Sequence, residues 1–428
     1  MKIAFHTLGC KVNQNDSQAI AELFRGHGHE IVPFEAGADV YIINTCAVTK
    51  ISEQKSRQII RKGMELNPEA LVVVTGCYAQ TSPTEIAGIP GVHLVVGLAD
   101  RPRLVQLVGD YLKFGENQMS VTDITGIKMW QDLPVYDPFE RTRATLKIED
   151  GCNEFCSYCI VPYARGRVRS MPMEEVMDNF RVLVQKGFRE IVLTGIHLGH
   201  YGKDLNVRLD RLLKQLLKTE GDYRIRLGSL EPKDVTGELL NLITGEEKIC
   251  QHLHIPLQSG SDRILEKMGR NYDLPYYSEL LHRAREQNPM IALGTDLIVG
   301  FPGENDQDFE NTCRFVEEQG FSRVHVFRFS PRSGTPAATM PGKVTKKIQE
   351  ERSRRIQEIA LNSATSFSRL FLGKNVEVLF EEKTAEGWMG LSGEYLRVIV
   401  DTAEDLKNKL QTVMIDHQKN DHLLGSLW

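Results

Sequence analysis

Four near-continuous apolar runs, "KIAFHT" at 2–7, "DVYIINT" at 39–45, "LVVVTG" at 71–76 and "VHLVVG" at 92–97, are separated by polar, amphipathic stretches of helical length. A strand without a polar side is buried on both faces, the situation in a parallel sheet covered by helices. The first hundred residues therefore predict a small doubly wound parallel-sheet domain. Residues 115–142, "GENQMSVTDITGIKMWQDLPVYDPFERT", carry Gly, Pro and Asp without a sustained period and read as a linker laid over the surface. From Arg143 a second alternating series begins, with strand candidates "ATLKIED" (144–150), "EIVLTG" (190–195), "RIRLGSLE" (224–231), "QHLHIPLQ" (251–258), "ALGTDLIVG" (292–300) and "VHVFRFS" (324–330). Six βα units predict a partial (βα)6 barrel whose site lies at the carboxyl ends of its strands. A charged helix then precedes a tail of short strands that fits a small β-barrel. The expected fold is α/β, divided into an N-terminal domain at 1–114, a linker at 115–142, a barrel with its C-terminal helix at 143–371, and a tail domain at 372–428.

With 428 residues and 41% hydrophobic content the chain can bury several cores, and its net charge of −5 leaves any nucleic-acid site to a local patch. No basic region followed by a long apolar run opens the sequence, and no stretch approaches eighteen uninterrupted apolar residues, so a cytoplasmic protein without membrane contact is expected. In that compartment eight cysteines point to metal ligation, catalysis or packing rather than disulfides.

The chemistry is concentrated in "GCNEFCSYCIVPYARG", directly after the first strand of the second series. Cys152, Cys156 and Cys159, spaced Cys-x3-Cys-x2-Cys, can hold three irons of a cubane cluster and leave the fourth open; a zinc site borrowing a distant ligand and plain surface cysteines are the alternatives. This loop resembles that of the radical S-adenosylmethionine (SAM) superfamily. The resemblance implies that SAM chelates the open iron and that its reductive cleavage yields a 5′-deoxyadenosyl radical. Candidate SAM contacts at the later strand ends are Thr194, Gly195, Ser229, Glu231, Gln258 and Asp296, each of which could equally satisfy a neighbour's hydrogen bond. The period of two places His252, His254 and Gln258 on one face, expected to look into the barrel. Arg165, Arg167 and Arg169 could pair with RNA phosphates or form a solvated strand face.

Cys10, Cys46 and Cys77 each follow a strand of the first series. The carboxyl ends of parallel strands share one sheet edge, so these distant thiols converge, and a second three-cysteine cluster is the expected result. Cys250 and Cys313 join neither set and read as packing residues.

Two three-cysteine sets in this order resemble the methylthiotransferase branch of the radical SAM enzymes, together with "TLGCKVNQND", "NTCAVT", "GCYAQ", "SLEP", "HIPLQSGSD", "DLIVGFPGE" and "FRFSPRSGTPA". "TLGCKVNQ" is most similar to the subgroup acting on N6-threonylcarbamoyladenosine in tRNA, and the tail resembles the RNA-binding TRAM domain. The resemblance implies two [4Fe–4S] clusters, on Cys10, Cys46 and Cys77 and on Cys152, Cys156 and Cys159. It also implies SAM as methyl donor and radical source, tRNA as substrate, a flavodoxin- or ferredoxin-like electron donor and a sulfide source. An isopentenyladenosine methylthiotransferase and a non-catalytic iron–sulfur RNA-binding or redox-sensing protein are the rival readings. One departure stands out: from Leu372 onward there are six Lys+Arg against ten Asp+Glu, whereas 343–371 has seven Lys+Arg against three Glu. The helix and the Arg165–Arg169 strip, rather than the tail, are therefore expected to grip phosphates, the tail adding shape and stacking through Trp388 or Tyr395 if these are not core.

Overall fold

The computed structural model describes residues 1–116, 118–131, 133–134 and 142–428. Its first part runs β1 (Lys2–Thr7), α1 (Lys11–Gly26), β2 (Glu30–Val32), β3 (Val40–Thr45), α2 (Lys50–Leu66), β4 (Leu71–Gly76), α3 (Cys77–Thr81), α4 (Pro83–Ala87), β5 (Leu94–Val96), α5 (Leu104–Phe114) and β6 (Gln118–Ser120). These strands form one parallel sheet in the order β2-β1-β3-β4-β5-β6. β3 and β4 are buried along their whole length, as their unbroken apolar runs require. The chain winds outward from β1 in one direction to β2 and in the other through β3, so the order reverses between β1 and β3, where open α/β sheets leave a crevice.

β6 corrects the expected linker. "QMS" is too short to show any period, yet it pairs with β5, and Ile124 just beyond it is buried. Positions 117, 132 and 135–141 of that stretch lie outside the described residues.

The second part comprises β7 (Arg143–Lys147), β8 (Glu149–Asp150), α6 (Val161–Arg165), β9 (Arg169–Ser170), α7 (Met173–Gln185), β10 (Glu190–Thr194), α8 (Leu209–Leu216), β11 (Arg224–Leu227), α9 (Gly237–Gly245), β12 (His252–His254), α10 (Asp262–Met268), α11 (Leu274–Gln287), β13 (Ala292–Val299), α12 (Asp306–Gln319), β14 (Arg323–Arg328) and α13 (Lys346–Arg369). Parallel strands β7-β10-β11 and β12-β13-β14 make two halves of an open barrel, touching through the bridge between Ile225 and Ile249. "ATLKIED" breaks into β7 and β8 because Glu149–Asp150 turns away to pair antiparallel with β9. β14 is a barrel edge, and Arg323, His325 and Phe327 on it are exposed.

The tail is a closed five-stranded barrel of β15 (Asn375–Thr384), β16 (Gly387–Ser392), β17 (Arg397–Val400), β18 (Leu410–Lys419) and β19 (His422–Leu427). It is clamped to the large barrel by buried charge. Arg224 donates to the carbonyls of Glu377 (3.0 Å) and Leu391 (2.8 Å), and Arg226 to those of Gly393 (2.8 Å) and Ser392 (2.9 Å). Both guanidinium groups are held by Glu190, itself fully buried. Burial alone would raise the Glu190 pKa, but the two arginines overcome it and bring it to about 2. Among the described residues no helix is long and apolar enough to cross a membrane.

Candidate metal centres

Cys10, Cys46 and Cys77 follow β1, β3 and β4, three adjacent strands, with the first two flanking the order reversal. Two glycines shape the approach. Gly9 has φ +101°, and a Cβ there would come within 3.0 Å of Cys46 Sγ; Gly76 has φ +102°, and a Cβ would stand 2.3 Å from the Thr45 carbonyl oxygen. Any side chain would therefore displace a neighbouring thiol or its strand. Cys10 is also the N-cap of α1, with no side-chain cap bond, so it sits at the positive end of a helix whose first N–H groups lack partners. Cys46 and Cys77 are buried while Cys10 is exposed. Burial, reinforced by the neighbouring Cys77 and Cys10, pushes the Cys46 thiol up to about 11. Three soft donors following three adjacent strands at one sheet edge suit a cluster that needs three thiolates and one free iron.

The second triad lies on the loop from β8 to α6. Phe155 within it takes φ +47°, uncommon for an aromatic residue and typical of a loop shaped around a ligand. Burial, with Cys156 adding to it, pushes Cys159 up to about 12. Arg270 donates from Nη1 to Cys156 Sγ at 3.1 Å and from Nη2 to Glu231. His197 Nδ1 is 3.6 Å from Cys152 Sγ, and its Nε2 is 2.6 Å from Asp234 Oδ2. These partners fit a second cluster of the same kind, since hydrogen bonds to the ligand sulfurs stabilise its negative charge.

The candidate SAM contacts divide. Glu231 reaches the cluster loop through Arg270. Thr194 is buried and uses its backbone carbonyl to accept from Ile148 N. A Cβ on Gly195 would stand 2.5 Å from Glu149 Oε2, so close packing against Glu149 accounts for the small residue. Gln258 has φ +68° and bridges to Leu297, a strained backbone at the end of β12. Ser229 is exposed, and Asp296 pairs with His254 at 3.1 Å deeper in the barrel.

The arginine strip is corrected. Arg165 is completely buried and donates to both oxygens of Asp150 (2.9 Å each), to Asp16 Oδ2 (3.0 Å) and to Asn13. Arg169 is 2% exposed and donates to the Arg167 carbonyl. Neither guanidinium is available to an RNA phosphate; only Arg167, packed over the Phe155 ring, is exposed. The charge run is a turn folded inward, because the acids it meets come from α1 and β8. Trp388 is likewise core, and Cys250 and Cys313 are buried as expected.

Sequence reasoning missed Arg270, Asn13, Asp16 and Glu149. Asn13 and Asp16 lie on the first two turns of α1, three and six residues beyond Cys10, and carry the contact between the two cluster loops. Glu149 is buried with Oε1 unpartnered, and burial holds its carboxyl well above the usual range. Its signal was available: "IED" stands immediately before the cysteine loop.

Comparison with known proteins follows this geometry. Residues 2–97 match the profile of the uncharacterized protein family UPF0004, and residues 146–316 that of the radical SAM superfamily. The chain is 41% identical over 420 residues to the threonylcarbamoyladenosine tRNA methylthiotransferase MtaB of Bacillus subtilis, covering 96% of this chain and 93% of that protein. The chain belongs to the radical SAM methylthiotransferase family. The Aquifex aeolicus MtaB is 42% identical, covering 90% of this chain and 93% of that protein. The tRNA-2-methylthio-N(6)-dimethylallyladenosine synthase of Moorella thermoacetica, 38% identical over 88% of this chain and 86% of its own, shares the methylthiotransferase architecture with a different substrate name. The methyltransferase TsrM of Kitasatospora setae shares the fold at 15% identity, TM-score 0.58, with 79% of this chain and 75% of that one covered. SAM and [4Fe–4S] clusters are the cofactors of such a radical SAM methylthiotransferase, and both thiol triads suit them.

Proposed function

We propose that the protein attaches a methylthio group to C2 of N6-threonylcarbamoyladenosine beside the anticodon of tRNA, in the cytoplasm. The observation that carries this reading is the junction of two thiol triads: Arg165, six residues past Cys159, is hydrogen-bonded to Asn13 and Asp16, three and six residues past Cys10. A site that must remove a hydrogen and deliver a sulfur at one carbon needs two such centres at a fixed separation.

Cys10, Cys46 and Cys77 would hold the cluster that delivers sulfur, and Cys152, Cys156 and Cys159 the cluster that binds SAM. When bound, these groups supply the radical, the sulfur and the methyl group. The protein's own residues fix their surroundings. Arg270 keeps an N–H on Cys156 Sγ and ties Glu231 beside it, and His197, oriented by Asp234, stands against Cys152. Glu149, whose carboxyl burial holds well above the usual range, accepts the His197 backbone N–H at 2.7 Å on Oε2 and leaves Oε1 without a partner beside the cluster loop. Asn13 accepts from Arg165 and donates to the Leu8 and Thr45 carbonyls, at 2.8 and 3.0 Å, which locks the loops bearing Cys10 and Cys46.

A reductant of the flavodoxin or ferredoxin type and a sulfide source complete the system. For the RNA backbone we assign the groove of about 990 Å³ between α2, β14 and α13, where Lys50, Arg328, Lys343, Lys346 and Arg354 gather. Mass analysis of tRNA nucleosides from cells lacking the gene tests the reading. Loss of the 2-methylthio form of threonylcarbamoyladenosine supports it; loss of the isopentenyl counterpart instead, or of neither, refutes it.

A further inference from the structure

The inner faces of β12, β13 and β14 carry an unusual set of side chains. Register pairs His252 with Ala292, His254 with Gly294, Gly294 with Arg323 and Asp296 with His325, so His252, His254, Asp296, Arg323 and His325 share one face. Gly294 lets the two histidines close in on the strand, since a Cβ there would stand 3.2 Å from His254 Nδ1 and 3.6 Å from His252 Nε2. Two further elements enter this space from the other domains. Tyr395, from the loop between β16 and β17, packs edge-on to His252 with centroids 4.6 Å apart. Lys11, the residue after Cys10, donates to the Tyr395 hydroxyl at 3.2 Å. Lys11 Nζ and the Arg323 guanidinium each lie 5.8 Å from the Tyr395 ring centre, and Arg226 stacks on the same ring at 3.9 Å.

The charges here do not balance. Arg226 shares the single carboxylate of Glu190 with Arg224, and Asp296, the carboxylate on the shared face, is paired with His254. Among the described residues, neither Lys11 nor Arg323 has an ion-pair partner, and both are exposed. Tyr395 holds this position in the left-handed region, at φ +64°, a conformation of measurable cost for a residue with a Cβ. Two unpaired cations converging on one ring repel each other, and an anion seated between them would relieve that repulsion.

We propose that Lys11 and Arg323 bind the carboxylate of the threonylcarbamoyl group, with Tyr395 holding the two cations in place, and so set the choice of modified adenosine. The inference rests on the substrate class given above and names the residues that read it. Position favours this source of anion. Lys11 is next to a ligand of the first triad, so an anion held between it and Arg323 stands beside that centre. An isopentenyl group has no charge to offer these two cations, so the same arrangement gives it no comparable hold. A backbone phosphate is the other anion with suitable chemistry, and the test separates the two.

The test measures the affinity of the full-length, cluster-loaded protein for fluorescent anticodon stem-loops. These carry threonylcarbamoyladenosine, its threonyl methyl ester or isopentenyladenosine, and methylthiolation of each is followed alongside. Wild type is expected to bind the free carboxylate roughly tenfold or more tightly than the ester, the order of a charge-assisted hydrogen bond. Lys11→Met and Arg323→Met are expected to lose that preference while their affinity for the ester stays within about twofold. Equal weakening toward both RNAs would assign the cations to phosphate and overturn the proposal, as would a wild type indifferent to the ester. Methylthiolation of the isopentenyl RNA alone would instead overturn the substrate reading. Iron content and the cluster absorption band of each variant exclude loss of fold as the cause.

Discussion

Replacing Arg165 with Gln removes one charge from a buried electrostatic junction. Arg165 is fully buried, as is Asp16, and Asp150 is only 12% exposed at its side chain. In R165Q, Asp16 keeps Arg101 and Lys147, but Asp150 is left with Lys147 at 3.3 Å. Breaking a buried pair by deleting one partner costs about 3–5 kcal/mol, because the other charge stays desolvated. The Asp150 carboxyl gives an independent figure: burial would raise its pKa, but Arg165 first and then Lys147 bring it down to about 2. That displacement from an ordinary aspartate corresponds to about 2 kcal/mol, with Arg165 the foremost of the cations that produce it. The sign follows from the depressed pKa: the contribution is complete above about pH 4 and disappears as pH falls toward 2. Without Arg165 the Asp150 pKa rises, and the loss begins at higher pH. Hydrogen exchange at neutral pH is the assay. The slowest amides of α1 and α6 are expected to exchange about 10²- to 10³-fold faster in R165Q, with strands β15–β19 unchanged. If exchange is unaltered while RNA affinity falls, Arg165 is a phosphate contact after all and the burial argument is wrong.

Three further outcomes follow from the same structure. Glu190→Gln leaves Arg224 and Arg226 without their buried anion; the tail barrel is expected to become sensitive to limited proteolysis at the 369–375 junction, with about 3 kcal/mol lost. In the unsubstituted protein, protection at this junction should be full above about pH 4.5 and fade toward pH 2, because the Glu190 pKa is depressed to about 2. C46A and C156A are each expected to lose about four of about eight irons, one cluster apiece, by anaerobic iron assay; simultaneous loss of both from either variant would show that the triads are not independent. His252 is buried with its Nδ1 unpartnered, and burial, aided by Arg226, holds its pKa well below 6.5. Its imidazole signals should stay those of the neutral ring down to pH 5.5 by NMR, and titration near 6.5 would show that the barrel interior is wetter than its packing implies.

Much of the architecture was legible because its signals are local. Unbroken apolar runs identified β3 and β4, and the cysteine after each run placed the first triad before any contact was known. What stayed hidden depended on partners remote in sequence. Arg165 and Arg169 looked like an exposed strip because nothing near them reveals that Asp16 and Asp150 wait on the other side. β6 was hidden by its three-residue length, which cannot display a period. Arg270 stands 114 residues after the cysteine it touches, on a segment with no pattern of its own. Tyr395 could be read as a stacking residue or, more commonly for such an aromatic, as core, and the structure assigns it to neither, since it sits at the meeting of three domains.

The contact of Asn13 and Asp16 with Arg165 bears on how such enzymes can be recombined. Helix and loop are encoded about 150 residues apart, yet each completes the other's hydrogen bonds. A chimaera joining the first domain of one relative to the barrel of another at the 115–142 boundary would sever these matched ends, even where both halves fold. Exchange of the two parts should succeed only when the asparagine, the aspartate and the arginine travel together, which makes the trio, and not the linker, the working unit of inheritance.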